Sequence, residues 1–453
     1  MKYFFETYGC QMNTAESAAL VLVLRERGWS AAPAGETADL VVLNTCSVRK
    51  TAEERVWGRL AQYEALKKKR AFTLVMAGCM ASRLGAELKE KSGAVDYVMG
   101  TADRSMFPLI LESMEQGLPL EERFPEIHPE KPVFAFSASH LDEGHFRSFV
   151  PIMHGCNNFC SYCIVPYVRG REVSRDPASI VEEIRLLAEK GVREITLLGQ
   201  NVNSYAWDGE GKGRSGFPGK LDFPGLLALV ARETEKSPIG WVRFLSANPK
   251  DLSSKAIRVM AEHTVLCRHL HLCVQHGSNA MLKAMNRRYT RERYLELVAE
   301  IRAAMPDITF STDILVGFPG ETEEDLAQTL ELMEAVHFLY AYMYHYNPRE
   351  GTAAFNLPAR IDEEIKRKRL TRVIELQKRH TLELLKTRIG CRAPVLIEGI
   401  SRKNADELIA RTERDEMVVV PGKPALIGSF AEVTLSTLRG HTFRAEELCV
   451  QRS

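Results

Sequence analysis

The sequence predicts an α/β chain with a small all-β tail, and three observations carry that reading. Short apolar runs alternate with helix-spaced segments over the first 115 or so residues. A second alternation starts at Val150 and gives six strand–helix repeats over about 200 residues. From Val395 onward, strand-like runs separated by turn residues replace it.

The elements follow in order. Strands are expected at Tyr3–Thr7, Leu40–Asn44, Thr73–Ala77 and Tyr97–Met99, with helices at Glu16–Arg27 and Glu53–Lys68. That alternation implies a parallel, doubly wound sheet. Pro119, Pro125, Pro129 and Pro132 then mark a stretch of little periodicity, read as a linker wrapping the surface. The second alternation has strands at Val150–Met153, Glu194–Leu198, Trp241–Leu245, His269–Leu272, Thr309–Val316 and Leu339–Tyr346. It forms a barrel-like or open parallel sheet whose active face lies at the strand C-termini. The tail offers Val395–Ser401, Leu408–Thr412, Met417–Val420, Phe430–Leu435 and Thr442–Ala445, a five-stranded barrel.

Composition narrows the function. With 453 residues, 45% apolar and 26% charged, the chain excludes collagen, wholesale disorder and small disulfide scaffolds. The opening MKYFFETYGC turns polar too soon for a secretory signal. No apolar run approaches the roughly 20 residues of a membrane-spanning helix. The expectation is a soluble, cytoplasmic protein whose ten cysteines serve metal or redox chemistry. Net charge is only +1, yet Lys366–Arg392 holds ten Lys or Arg against two Glu, a local net of +8. A solvated helix face and a polyanion-binding surface are equally good readings of it.

Two cysteine sets carry the chemistry. Cys156, Cys160 and Cys163 sit on one loop directly after an expected strand, with spacing suited to an iron–sulfur cluster. Three ligands leave one iron open for a cofactor. The competing reading is a structural zinc site with His154 as fourth ligand. Cys10, Cys46 and Cys79 lie far apart in sequence, but each follows an expected parallel strand. Loops beyond the strand carboxyl ends meet at one crevice, so a second cluster is favoured over three buried thiols.

The segments GCQMN (9–13), NTCSVR (44–49), GCNNFCSYCIVPYVRGRE (155–172), LLGQNVNSY (197–205), STDILVGFPGET (311–322) and NPREGTAA (347–354) resemble the methylthiotransferase family of radical S-adenosylmethionine enzymes. GCQMN and LLGQNVN are most similar to the branch that modifies isopentenyladenosine in tRNA. The resemblance spans the chain and implies a partial (β/α)6 barrel of radical SAM type and a TRAM-like tail. It also implies boundaries at 1–116 for the N-terminal domain, 117–141 for the linker, 142–374 for the radical domain and 375–450 for the tail.

By this resemblance Cys156, Cys160 and Cys163 hold the radical-generating 4Fe–4S cluster, while Cys10, Cys46 and Cys79 hold an auxiliary 4Fe–4S cluster that carries sulfur. S-adenosyl-L-methionine serves as radical source and methyl donor. The implied substrate is tRNA carrying isopentenyladenosine at position 37, next to the anticodon. A flavodoxin- or ferredoxin-type electron donor and a sulfur donor are implied partners, and no membrane is. Tyr162 is expected against the cofactor adenine, and Gly199, Gln200 and Asn201 near its amino group. Ser246, Gln275, Arg287 and Asp313 are expected at the same strand-end face, with Arg287 on the carboxylate and Asp313 on a ribose hydroxyl. The alternatives are loop packing for Tyr162, a turn for Gly199, Gln200 and Asn201, a capping or structural role for Asp313, and contact with tRNA phosphates or plain solvation for Arg287.

Alternative readings are the same reaction on threonylcarbamoyladenosine or on a ribosomal protein aspartate, and a non-catalytic iron–sulfur RNA sensor. Two departures stand out in HLHLCVQHGSN (269–279), where the family usually has proline at Cys273 and serine at His276. Both are read as structural, as are Cys267, Cys391 and Cys449. Phe430 and Phe443 are read either as base-stacking residues or as core of the tail.

Overall fold

Every residue of Leu40–Thr45 is buried, as a central parallel strand covered on both faces requires. That strand anchors the N-terminal sheet in a computed structural model that describes residues 1–47, 50–117, 145–209 and 219–450. Of the expected linker, residues 118–141 lie outside the described residues. The described chain divides into two units. One comprises residues 1–117, Phe149–Phe159 and Cys163–Arg175; the other comprises residues 145–148, Cys160–Tyr162 and Asp176 onward.

In the first unit the order is β1 (Lys2–Thr7), α1 (Gln11–Glu26), β2 (Ser30–Ala31), β3 (Leu40–Thr45), α2 (Lys50–Lys67), β4 (Thr73–Gly78), α3 (Cys79–Leu84), α4 (Glu87–Lys91), β5 (Tyr97–Met99) and α5 (Met106–Gln116). The strands form one sheet of order β2-β1-β3-β4-β5, parallel throughout. Helices cover both faces: Leu43, Val56, Leu60 and Met76 pack on one side, and Leu20, Leu24, Val42, Phe107 and Ile110 on the other. This is the doubly wound sheet expected.

The chain continues through β6 (Arg147–Pro151), β7 (Met153–His154), α6 (Val165–Arg169), β8 (Val173–Ser174), α7 (Pro177–Glu189), β9 (Glu194–Leu198), β10 (Ala206–Trp207), β11 (Leu221–Asp222), α8 (Phe223–Thr234), β12 (Trp241–Phe244), α9 (Ser254–Glu262), β13 (His269–His271), α10 (Asn279–Ala284), α11 (Arg291–Ala304), β14 (Thr309–Val316), α12 (Glu323–Val336) and β15 (Tyr340–His345). Two three-stranded sheets, β12-β9-β6 and β13-β14-β15, make the partial barrel. Bridges Val242↔Leu266 and Ala247↔Leu272 join them. Its helices start where the sequence supplies caps: Asp176, Asp222, Ser253, Ser278 and Thr290 each accept from a first-turn N–H. Thr322 and Asp325 close a reciprocal capping box on α12.

Helix α13 (Glu363–Lys386) leads to β16 (Arg392–Ile400), β17 (Glu407–Thr412), β18 (Met417–Pro421), β19 (Phe430–Thr434), β20 (Thr437–Arg439), β21 (Thr442–Arg444) and β22 (Leu448–Val450). They pair as one seven-stranded sheet, adding the short β20 and β22 to the five strands expected. Phe443 is fully buried in the core of this module, and Phe430 packs edge-on to Trp241, centroids 5.0 Å apart. Neither ring is presented for base stacking, because each is consumed by packing.

The β17–β18 turn docks on the residues that begin the barrel strands. Arg243 donates to the carbonyls of Glu413 (2.9 Å) and Thr412 (3.0 Å). Arg411 reaches Glu194 at 2.6 Å, and Tyr340 donates to Asp415 at 2.5 Å. Within β13, His269 lies between the hydroxyls of Thr309 and Ser311, 2.8 Å from each, and stacks on Tyr340. Burial lowers its pKa to about 3, so it is neutral in the fold. The tail thus occupies the end of the barrel opposite the strand C-termini.

The basic segment is less free than its composition suggests. Lys366 and Arg369 are buried. Lys366 donates to the Tyr346 carbonyl at 3.1 Å and pairs with Glu363. Arg369 pairs with Glu321 at 2.7 Å and Glu323 at 2.9 Å. Their partners lie outside Lys366–Arg392, so a charge count over that window misses the compensation. Arg367, Lys368, Arg372, Lys378 and Arg379 remain on the exposed face. No helix among the described residues is long and apolar enough to cross a membrane.

Candidate active site

Strands β1, β3 and β4 are neighbours in the sheet, so the loops after them deliver Cys10, Cys46 and Cys79 to one edge. Glycine makes the approach possible. Gly9 has φ +135°, and a Cβ there would stand 2.5 Å from Cys46 Cβ. Gly78 has φ +88°, and a Cβ there would stand 2.5 Å from the Thr45 carbonyl. Cys10 caps α1, and Cys79 opens α3. Cys46 and Cys79 are buried while Cys10 is exposed. Three thiols from distant segments therefore share one mouth, a soft donor set that fits an iron–sulfur cluster with one position open.

Helix α6 packs against this site through Ile164 and Val168, which cluster with Cys79. Thr101 Oγ1 donates to the Val168 carbonyl at 2.6 Å. Arg169, at the end of α6, points its guanidinium inward. Nε donates to Cys79 Sγ at 3.2 Å, Nη1 to Glu16 at 2.6 Å and Nη2 to Asn13 Oδ1 at 3.1 Å. Arg104 also pairs with Glu16. Burial by itself would raise the Glu16 carboxyl, but Arg104 and Arg169 outweigh it and hold the pKa at about 2. Burial pushes the Cys79 thiol up, and Arg169 opposes that rise. His154 is kept neutral, its pKa near 3, by burial and then by Arg169.

The loop with the closely spaced cysteines follows β7. Gly155, at φ +75°, lies so near the Arg171 carbonyl that a Cβ would stand 2.0 Å from it. Cys156 N–H donates to the Gly170 carbonyl at 3.1 Å. Cys156 and Cys163 fall in the first unit, and Cys160 falls in the second. There, Ser161 fixes the loop: its Oγ donates to the Ala284 carbonyl (2.8 Å) and its N–H to that of Met285 (3.1 Å). Tyr162 is partly buried and packs with Met281, Met285, Leu315, Phe318 and Tyr346.

Of the other sequence-derived candidates, Gly199, Gln200, Asn201, Ser246 and Gln275 follow strands of the second unit, Asp313 lies within β14 and Arg287 follows α10. After β9, Gly199, Gln200 and Asn201 turn into a short helix, and Asn201 Nδ2 donates to Asp251 at 2.7 Å. Gln200 Oε1 and Asn201 Oδ1 are buried acceptors with no hydrogen-bond partner among the described residues. Such orphaned carbonyls suit a ligand carrying ammonium or hydroxyl donors. Ser246 (φ 64°) and Gln275 (φ 70°), beyond β12 and β13, both hold left-handed backbone that non-glycine residues seldom adopt. Ser246 N–H donates to His271 Nδ1 at 3.3 Å, and His271 Nε2 faces Asp313 at 3.5 Å.

Arg287 is buried, with Nε on the Tyr289 hydroxyl (3.0 Å), Nη1 on Cys160 Sγ (3.3 Å) and Nη2 on the Cys273 carbonyl (2.7 Å). Cys273 itself is buried beside His271. His276 is fully buried, 2.9 Å from Glu321 and capped by the Ser278 N–H, so it is structural. Cys267 joins Trp241 and Leu396 in apolar packing.

Sequence reasoning missed Arg169, Glu16, Arg104 and His271. A signal for the first was present: an arginine in VPYVRGRE, close behind the cysteine loop.

Comparisons with known proteins agree with this layout. Residues 150–333 match the Radical SAM superfamily, 2–100 the Uncharacterized protein family UPF0004, and 386–447 the TRAM domain. The tRNA-2-methylthio-N(6)-dimethylallyladenosine synthase of Treponema pallidum is 52% identical over 98% of both chains. That of Treponema denticola is 50% identical over 98% of this chain and 99% of its own. The synthase of a Thermoanaerobacter species is 41% identical over 98% and 92%. Among solved structures, the radical S-adenosylmethionine methyltransferase TsrM of Kitasatospora setae has a similar fold: TM-score 0.58, 16% identity, 78% of this chain and 74% of that one. The cobalamin-dependent radical enzyme OxsB aligns at TM-score 0.52 and 11% identity over 84% and 56%.

Proposed function

The chain belongs to the tRNA-2-methylthio-N(6)-dimethylallyladenosine synthase family of radical S-adenosylmethionine enzymes, and we propose that it methylthiolates C2 of N6-isopentenyladenosine at tRNA position 37. The observation that carries the reading is the pair of three-cysteine sets, one gathered at the edge of the parallel sheet and one on the loop entering the barrel. Two 4Fe–4S clusters and S-adenosylmethionine supply, when bound, the one-electron chemistry and the sulfur and methyl groups that an unactivated aromatic C–H bond demands.

Cys156, Cys160 and Cys163 would hold the radical cluster, and Cys10, Cys46 and Cys79 the auxiliary one. Gln200 and Asn201 offer their orphaned carbonyls to the amino group of the methionine part. Gly199, without a side chain, leaves room beside them. Arg287 and Asp313 provide opposite charges for the carboxylate and a ribose hydroxyl, and Tyr162 an aromatic face for the adenine. Ser246 and Gln275 hold their strand ends in the shape this face needs. The exposed face of α13, with Arg367, Lys368, Arg372, Lys378 and Arg379, would follow tRNA phosphates. The electron donor is of flavodoxin or ferredoxin type, the sulfur comes from a separate donor, and the setting is the cytoplasm.

Iron analysis of anaerobically prepared protein tests this first: about eight irons per chain are expected, and about four after Cys156, Cys160 and Cys163 are all changed to Ala. Cys160→Ala should yield no 5′-deoxyadenosine, whereas Cys46→Ala should yield it without methylthiolated tRNA. Methylthiolated tRNA from Cys46→Ala overturns the auxiliary assignment. Failure of the parent to cleave S-adenosylmethionine would leave a non-catalytic iron–sulfur protein.

A further inference from the structure

The interior of the first unit beside Cys79 holds more positive charge than negative. Arg169, 4% exposed, and Arg104 both pair with the single carboxylate of Glu16. Among the described residues, two guanidiniums, Arg169 buried and the Arg104 side chain 11% exposed, thus share one carboxylate, and the excess positive charge favours the arrival of an anion. Arg169 shows where the anion belongs. Its Nε points at Cys79 Sγ, and its Nη2 holds Asn13, whose Oδ1 lies 3.4 Å from Cys10 Sγ.

An oxidised 4Fe–4S core bears two positive charges, and three thiolates turn that into one negative charge. Reduction by one electron adds a second. The uncompensated guanidinium matches the first and favours the second, and an N–H donated to a cluster sulfur works in the same direction.

Resting on the two-cluster reading above, we propose that Arg169 is a positioning residue for the auxiliary cluster: it aims Cys79 and raises the reduction potential of the cluster that Cys10, Cys46 and Cys79 hold. Glu16 is its counterweight, and the balance of the two sets how readily that cluster takes an electron.

The test isolates the auxiliary cluster in the full chain with Cys156, Cys160 and Cys163 changed to Ala, and reads its midpoint potential by EPR-monitored titration. Arg169→Met should shift the potential to more negative values. Arg169→Lys, which keeps the charge but loses the fork, should fall between it and the parent. Glu16→Gln should shift it the opposite way. Arg169→Met leaves Glu16 still paired with Arg104, so no buried carboxylate is stranded. If that variant nonetheless loses its iron, the Lys and Gln variants decide by the sign of their shifts. Potentials equal to the parent, or shifts of one sign in both Arg169→Lys and Glu16→Gln, overturn the proposal. A background chain that binds no iron overturns the two-cluster reading itself.

Discussion

Each unit sets one buried arginine against one of the six cysteines assigned above to clusters, but the two arginines are held differently. Arg169 donates to Cys79 from inside an ionic cluster with Glu16 and Arg104. Arg287 donates to Cys160 while its other hydrogen bonds go to a tyrosine hydroxyl and a backbone carbonyl. The first guanidinium is partly neutralised by protein. The second has only neutral oxygens and the thiol around it among these contacts, so its charge is left for whatever binds at the barrel's strand ends. A site that keeps a sulfur-bearing cluster in place can be built into a fixed ionic framework. A site that admits and releases a charged small molecule gains from an arginine whose charge is unspent.

The largest effect that would sharpen this contrast is at Arg287. Arg287→Met should lower 5′-deoxyadenosine formation by about 100-fold, the worth of one good charge-assisted contact or two, with S-adenosylmethionine affinity falling alongside. Arg169→Met should leave that half-reaction within a few-fold of the parent. Equal losses in both variants would erase the distinction between the two arginines.

Next in size is the joint between barrel and tail. Arg411→Met removes one partner each from buried Glu194, which keeps Arg243 at 3.1 Å, and from Asp415, which keeps the Tyr340 hydroxyl, and losing such charge-assisted contacts costs about 2 kcal/mol. Denaturant unfolding should show that loss, and a double variant with Glu194→Gln should recover part of it. An unchanged midpoint would mean that the apolar contact of Trp241 with Phe430 holds the joint by itself.

The smallest effect, read over the first pH unit below 6.5, is a pH dependence. His269 has its folded-state pKa depressed to about 3 by burial, below the ordinary 6.5. The unfolded chain therefore takes up the proton first, and the stabilisation is present above pH 6.5 and lost as pH falls toward 3, by about 1 kcal/mol per pH unit. His269→Gln should flatten the acid limb of thermal stability relative to the parent. Parallel acid limbs in the two proteins would show that His269 takes up its proton as readily in the fold as in the unfolded chain.

Much of this layout was legible from local pattern. A run such as residues 40–43 declares a buried parallel strand because its apolar residues are contiguous. The three dispersed cysteines could be assigned to one edge because each follows such a strand, and parallel strands present equivalent ends. The short β20 and β22 went unread, since three-residue edge strands carry little periodicity. The reading of Arg369 as a surface charge failed for a different reason: its carboxylates sit more than forty residues upstream, at Glu321 and Glu323.

By itself, then, the order of residues determined the element types, the strand ends that carry chemistry and the six cysteines, because periodicity and spacing act over a few residues. Only the tertiary structure decided which charges meet. Arg169 lies 153 residues from Glu16 and Arg411 lies 217 from Glu194. Coulombic partners are chosen by proximity in space and by exclusion of water, and neither is written in the local pattern.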